Sequence, residues 1–126
     1  MNWKYEQATG KLTNPENLHA ATGYSGGDAG QRPDGVNNPA MQSIRNVGPI
    51  PKGTYTFGEP VHHSHLGPFA IPLVPDPANE MYGRDSFYCH GDNFAMDDSA
   101  SDGCIIMPRS VRNEMWASEC HVLEVI

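Results

Sequence analysis

Basic side chains are scarce in this sequence, because eight Lys and Arg stand against fifteen Asp and Glu and leave a formal net charge of −7. Proteins that bind nucleic acid neutralise its phosphates with clustered Lys and Arg, and the sequence has no such cluster. Apolar runs long enough to cross a bilayer are also missing. We therefore expect no nucleic-acid partner and no membrane insertion.

A secretory leader is a further missing feature. The sequence opens with Met1-Asn2-Trp3 and lacks the basic and apolar regions that a signal peptide requires. We therefore expect the protein to be made in the cytoplasm without a signal peptide. Any function outside the producing cell then needs a different export route.

The sequence has three cysteines, an odd number that excludes a complete disulfide framework. A bridge between Cys89 and Cys120 is the pairing that leaves Cys104 free. Cys89 and Cys120 are equally compatible with buried thiols in strands. The sequence leaves both alternatives open.

Length and composition predict the architecture. With 126 residues, the chain is expected to form one domain over 1-126. Its 13 glycines and 11 prolines predict many turns and little long helix. Prolines at the margins of 69–74 place that strand at an edge or a bulge. The predicted elements are a hairpin of 2–7 and 11–13, strands at 18–24, 54–57, 69–74, 86–90, 104–107 and 121–126, and helices at 37–46 and 108–117.

Two local patterns within these elements carry further expectations. His62, His63 and His65 form the tightest imidazole cluster, which suits zinc only with added carboxylate or thiolate ligands. Because the neighbouring residues supply none, we expect a solvated loop there. The 108–117 helix is predicted to be amphipathic. Its apolar face holds Pro108, Val111, Met115 and Trp116, and its polar face holds Arg109, Arg112, Asn113 and Glu114.

A thiol and an imidazole, with a glycine directly before the thiol, occur together between residues 90 and 106. A free thiol has a pKa near ~8.5, so a nucleophilic cysteine needs a base or a positive field beside it. If the strands 86–90 and 104–107 lie side by side, His90 meets Cys104. Gly103 allows close backbone approach, so the amides of Gly103 and Cys104 are candidates for an oxyanion hole.

The His90-Gly91 pair and the later Ser101-x-Gly103-Cys104-Ile105 resemble the signature of YkuD-type L,D-transpeptidases, cysteine enzymes that act on peptidoglycan stem peptides. A smaller family of type VI secretion effectors with similar active sites resembles the chain more widely. One departure is Ile106, where the larger family usually has a basic residue. The matching segments are Trp3-x-Tyr5, Thr9 to Leu12, Tyr24 to Gly26, Gly48 to Tyr55, Gly67-Pro68, Gly83-Arg84 and His90 to Asn93.

The predicted elements favour a compact, mainly β domain, a small curved sheet or sandwich with one short C-terminal helix, and the resemblance implies the YkuD-like form of this architecture. It implies an L,D-carboxypeptidase, an L,D-transpeptidase or both, without a cofactor and without a metal. Cys104 would attack the third residue of a tetrapeptide stem and His90 would be the base. The implied partners are peptidoglycan stem peptides, secretion machinery and a cognate immunity protein, and the implied role is that of an antibacterial toxin in the periplasm of a target bacterium.

Supporting residues are expected around this pair. By analogy with the larger family, the Gly91 carbonyl orients the His90 ring, a role that Asp92 could share. Ser101 and Asp102 are expected to shape the loop before the nucleophile. The candidates for substrate binding are Tyr24, Ser25, Arg84 and Arg109, the two arginines because a guanidinium pairs with a carboxylate in bidentate fashion.

Two interpretations of another class stay open. One is a domain that binds stem peptides or a partner without catalysis. The other is a metal-binding module, although the sequence has no C-x-x-C pair. Its ligands would come from Cys89, His90, Cys104, Cys120 and His121.

Overall fold

A computed structural model describes residues 2–27, 35–45, 47–91 and 103–126. The described chain is mainly β and forms a curved mixed sheet with one α-helix packed against it, which confirms the predicted fold class. The strands are β1 (Trp3–Tyr5), β2 (Lys11–Thr13), β3 (His19–Thr22), β4 (Tyr24–Ser25), β5 (Gly53–Phe57), β6 (Val61–His63), β7 (Gly67–Pro75), β8 (Tyr88–His90), β9 (Ile105–Ile106) and β10 (Val122–Val125), and the helix is α1 (Arg109–Ala117).

The predicted N-terminal hairpin is confirmed by the antiparallel pairing of β1 with β2. Trp3 and Tyr5 alternate with Lys4 and are buried on the same face. On its other side β1 runs parallel to the C-terminal strand β10, so that Trp3 pairs with Leu123. The two ends of the described chain are therefore fastened to each other in the sheet.

The strand order is β3-β2-β1-β10-β5-β7-β8-β9-β4, so the first and last strands of this path are neighbours in the chain. The sequence predicts one strand over 18–24, whereas the structure divides it at Gly23. The Gly23 amide donates to the Gly10 carbonyl over 2.8 Å. Gly23 joins β3 to β4, which stand at the two ends of this strand order, and β4 pairs with β9. A side chain at Gly23 would therefore overlap the carbonyl of Ile106 in β9.

Strand β7 is central, so the edge alternative of the prediction is wrong, whereas the bulge alternative agrees with a register shift in the pairing of β6 with β7. It pairs with β8 on one side and with both β5 and β6 on the other. The β6 contacts end at Ala70 and the β5 contacts begin at Leu73, so Pro72 falls at the junction of these two partners. A proline lacks the amide hydrogen that an unbroken ladder would require, and this junction does not require it.

The predicted helix after the second site strand is confirmed, and it buries Val111 and Met115 against the sheet. The prediction that Arg112 lies on the polar face of the helix is wrong, because the residue is 5% exposed. Its guanidinium donates to the carbonyls of Met107, Pro68 and Phe69, which offset the cost of burying a charge.

The helix predicted over 37–46 is shorter in the structure. It is one turn of 3-10 helix, Pro39–Met41, capped by the side chain of Asn38. Asn46 lies outside the described residues. None of the helices in the described part of the chain is both long enough and apolar enough to span a bilayer.

Candidate active site

Strands β8 and β9 run parallel and directly beside each other, as the sequence predicts for the histidine and cysteine strands. Cys89 pairs with Ile105, and both side chains are buried in the core. Because side chains alternate along a strand, His90 and Cys104 lie on the opposite face. Both line one cavity of about 310 Å³. The pairing of two short strands therefore brings the imidazole and the thiol to the same opening.

His90 is 2% exposed, and a backbone carbonyl fixes the orientation of its ring. Its Nδ1 lies 2.8 Å from the Gly91 carbonyl, the group named above as the one that orients the ring. Because a carbonyl can only accept, Nδ1 carries the proton of the neutral ring and Nε2 carries the lone pair. This is the tautomer that a general base at Nε2 requires.

The Cys104 side chain is half-buried and lies directly before β9. The amide of Tyr88 donates to its Sγ over 3.3 Å, and the Ser86 carbonyl lies 3.9 Å from the same sulfur. An amide hydrogen directed at the sulfur stabilises the thiolate more than the thiol. The strand that carries the imidazole therefore also supplies an electrostatic contact to the nucleophile.

Gly103 precedes the nucleophile with a φ of +133°, a value that favours glycine. Its carbonyl accepts a hydrogen bond of 2.8 Å from the Ser25 hydroxyl, whose oxygen accepts from the Ile50 amide over 2.9 Å. Ser25 is fully buried in this bridge. Ser25 therefore lies behind the site and fixes the backbone before Cys104.

Arg84 lines the same cavity as Cys104, but most of its side chain is buried beneath it. The guanidinium donates to the carbonyls of Gln42, Gly48 and Pro49 at distances between 2.6 and 2.9 Å. It also lies 5.2 Å from the centre of the Phe87 ring. These contacts tie Arg84 to the backbone of Gln42, Gly48 and Pro49, and a substrate contact by Arg84 stays a prediction.

Tyr24 and Arg109 line a second cavity of about 470 Å³, together with Gly91 and Arg112. Arg109 lies 4.8 Å from the centre of the Phe69 ring and donates to Asn113. Burial lowers the pKa of Arg112, Cys89 raises it and Arg109 lowers it further. Of the predicted substrate residues, Arg84 thus lines the cavity of Cys104, Tyr24 and Arg109 line the second cavity, and Ser25 is buried behind the site.

Three predicted site residues, Asp92, Ser101 and Asp102, lie outside the described residues. The possible disulfide does not form, since Cys89 and Cys120 are both free thiols. Burial raises the pKa of Cys89 to about 12, with Cys104 adding to the shift and Arg112 opposing it. Cys89 therefore belongs to the core and Cys104 to the cavity.

The expectation of a solvated loop for the histidine cluster agrees with His65, which is exposed in a turn, but is wrong for the other two histidines. His62 and His63 belong to β6, and a turn of 64–66 follows. Within 2–27, 35–45, 47–91 and 103–126, no three His, Cys, Asp or Glu side chains are grouped as a metal site would need. The residues proposed for a metal module are separated, because Cys89 faces the core while the Cys120 sulfur contacts Asn2 and Val122.

Sequence reasoning missed three features of the cavity that His90 and Cys104 line. Arg45 lines it and donates to the Gly83 carbonyl over 2.5 Å. His63 lines it as well, and the Tyr88 amide contacts the nucleophile. Only His63 had a sequence signal, as part of the imidazole cluster. Arg45 and Tyr88 are distant from Cys104 in sequence and meet it only in the folded sheet.

The fold and the site together define a mainly β domain that brings a cysteine and a buried histidine to one cavity from two parallel strands. Comparison with models of protein families matches residues 19–126 to the Tlde1 domain. The chain belongs to this family of type VI secretion effectors, as its resemblance predicted. Neither a search of curated proteins nor a search of solved structures found a match.

Proposed function

We propose that the protein is a cysteine acyltransferase of peptidoglycan that acts as an L,D-carboxypeptidase, an L,D-transpeptidase or both. The observation that carries the proposal is the shared cavity of His90 and Cys104, with the ring held in the Nδ1-protonated tautomer by Gly91. Membership of a type VI effector family supports an antibacterial role. The similarity of the His-Gly and Gly-Cys segments to L,D-transpeptidases supports the stem peptide as substrate.

The first half-reaction forms a thioester. The Sγ of Cys104 attacks the carbonyl carbon of the third residue in a tetrapeptide stem, while His90 Nε2 takes the thiol proton. The amides of Gly103 and Cys104 are proposed to bind the oxyanion of the tetrahedral intermediate. When the C–N bond breaks, Nε2 returns its proton to the departing amine of the terminal D-alanine.

The second half-reaction decides which activity is observed. Water that attacks the thioester carbon releases a tripeptide, and its proton passes to His90 Nε2 and then to the Cys104 sulfur. If the amine of a D-amino acid or of a second stem attacks, a new amide bond forms and the stem is exchanged or cross-linked. Both branches regenerate the free thiol and use the same two side chains.

The same proposal extends to the setting of the reaction. Type VI machinery is expected to deliver the protein to the periplasm of a target bacterium, where stem peptides are accessible. The producing cell would then need a cognate immunity protein that closes the Cys104 cavity. Co-purification from the producing cell tests this partner, and an isolated protein without any bound inhibitor would contradict it.

The direct test uses purified protein and disaccharide-tetrapeptide muropeptides, with and without D-methionine, followed by mass analysis. We expect loss of D-alanine or its replacement by D-methionine. Cys104→Ala and His90→Ala should each reduce this turnover by at least about 10²-fold. Cys120→Ala is the matched control, because its thiol lies outside the cavity. Unchanged muropeptides would contradict the enzyme proposal, and binding without turnover would favour the non-catalytic alternative.

A further inference from the structure

His63 is a second imidazole at the catalytic cavity and comes from a different part of the sheet. It ends strand β6 and is half-buried, and it lines the same cavity as His90 and Cys104. Its ring packs edge-on against Tyr88, with 5.2 Å between the ring centres. Tyr88 is also the residue whose amide contacts the Cys104 sulfur. His63 is therefore held one side chain away from the nucleophile.

Backbone contacts determine where His63 carries its proton. Its Nδ1 accepts hydrogen bonds from the amides of His65, at 3.0 Å, and Leu66, at 3.2 Å. Both partners are donors, so Nδ1 must be unprotonated and the hydrogen of the neutral ring lies on Nε2. His90 has the opposite arrangement, because its Nδ1 faces the carbonyl of Gly91. The cavity thus combines one imidazole whose Nε2 carries the lone pair and one whose Nε2 carries the hydrogen.

From this geometry we infer that His63 is a substrate-binding residue whose Nε2–H donates to a carbonyl or carboxylate oxygen of the stem peptide. The inference deepens the proposed function and rests on it for the identity of the substrate. A donor that is already oriented by two backbone amides loses little conformational freedom when substrate binds. His63 takes no proton in this role and leaves the acid–base steps to His90.

Two substitutions at His63 test its Nδ1 acceptor and its Nε2–H donor separately. In His63→Asn the side-chain oxygen can take the place of Nδ1, so the turn amides keep an acceptor while the Nε2–H donor is lost. In His63→Gln the amide nitrogen reaches about as far as Nε2, so the donor is kept while the turn loses its acceptor. His62→Ala is the control, because this neighbour is exposed and does not line the cavity.

Binding should be measured by calorimetry with a tetrapeptide stem in a Cys104→Ala background, where no acyl transfer occurs. We expect His63→Asn to weaken binding about tenfold, and His63→Gln to restore most of the affinity. In the active protein, His63→Asn should raise KM by a similar factor and change kcat little. Equal affinities of His63→Asn and the parent within twofold, or no binding by either, would overturn the inference.

The tautomer provides a test that needs no substrate. A long-range ¹H–¹⁵N spectrum of the labelled protein should show His63 with an unprotonated Nδ1 and a protonated Nε2. An Nδ1-protonated His63 would overturn the inference. Failure of the proposed function is a different result, since the wild-type protein would then bind the tetrapeptide through His63 without releasing D-alanine.

Discussion

Gly103→Ala offers the sharpest test of how the backbone before the nucleophile is built. A Cβ at this position would overlap the guanidinium of Arg84 and come within 2.9 Å of the Phe87 ring. The guanidinium cannot easily move aside, because it is buried and donates to the carbonyls of Gln42, Gly48 and Pro49. The substitution therefore strains the φ of residue 103 and displaces a buried cation at the same time.

The magnitude follows from these two costs. A non-glycine residue in this φ region costs about 1–3 kcal/mol. Weakening one charged hydrogen bond of Arg84 adds roughly 1.5–3 kcal/mol. We therefore expect Gly103→Ala to lower the free energy of unfolding by about 2.5–6 kcal/mol. Activity should fall by about 10²-fold or more, because even a shift of about 1 Å at a catalytic group has that effect.

Urea unfolding followed by circular dichroism measures the stability change, and release of D-alanine measures the activity. Gly83→Ala is the matched control, since Gly83 also has a positive φ of +72° but no atom within 4 Å of an added Cβ. It should cost only about 1–2 kcal/mol. If the two variants unfold at the same urea concentration, Arg84 does not pack under residue 103 and the reasoning is refuted.

Two other predictions concern buried groups behind the site. Ser25→Ala should lower the free energy of unfolding by about 2–4 kcal/mol in urea melts, because the Gly103 carbonyl and the Ile50 amide both lose their partner; an unchanged midpoint would contradict the bridge. Burial raises the pKa of Cys89 from 9.0 to about 12, so its stabilising contribution is complete below pH 9 and is lost between pH 9 and 12. From pH 8 to 10 this loss is about 1.4 kcal/mol, which urea melts of Cys89→Ala should lack and those of Cys120→Ala should retain. Equal pH dependence in both variants would show that Cys89 is not the titrating group.

Local pattern predicted much of the sheet. The hairpin at Trp3 and Tyr5, the strand at 54–57 and the helix after the second site strand all follow from period and turn residues, and each is confirmed. The edge alternative for β7 was wrong, because local sequence does not show that Pro72 lies where β5 replaces β6 as the neighbouring strand. The break at Gly23 has the same origin, since it depends on contacts with distant Gly10 and Ile106.

The sequence by itself determined the mainly β class, the two chemical groups of the candidate site and the glycine before the thiol, because these depend on residue type and short spacing. Tertiary structure decided which other groups surround them. Arg112 is buried and His63 faces the cavity because strands far apart in sequence pair across a curved sheet. Alternation within a strand predicts which residues share a face. Only the pairing of β7 with β6 and β8 decides that His63 and His90, on two different strands, line the same cavity.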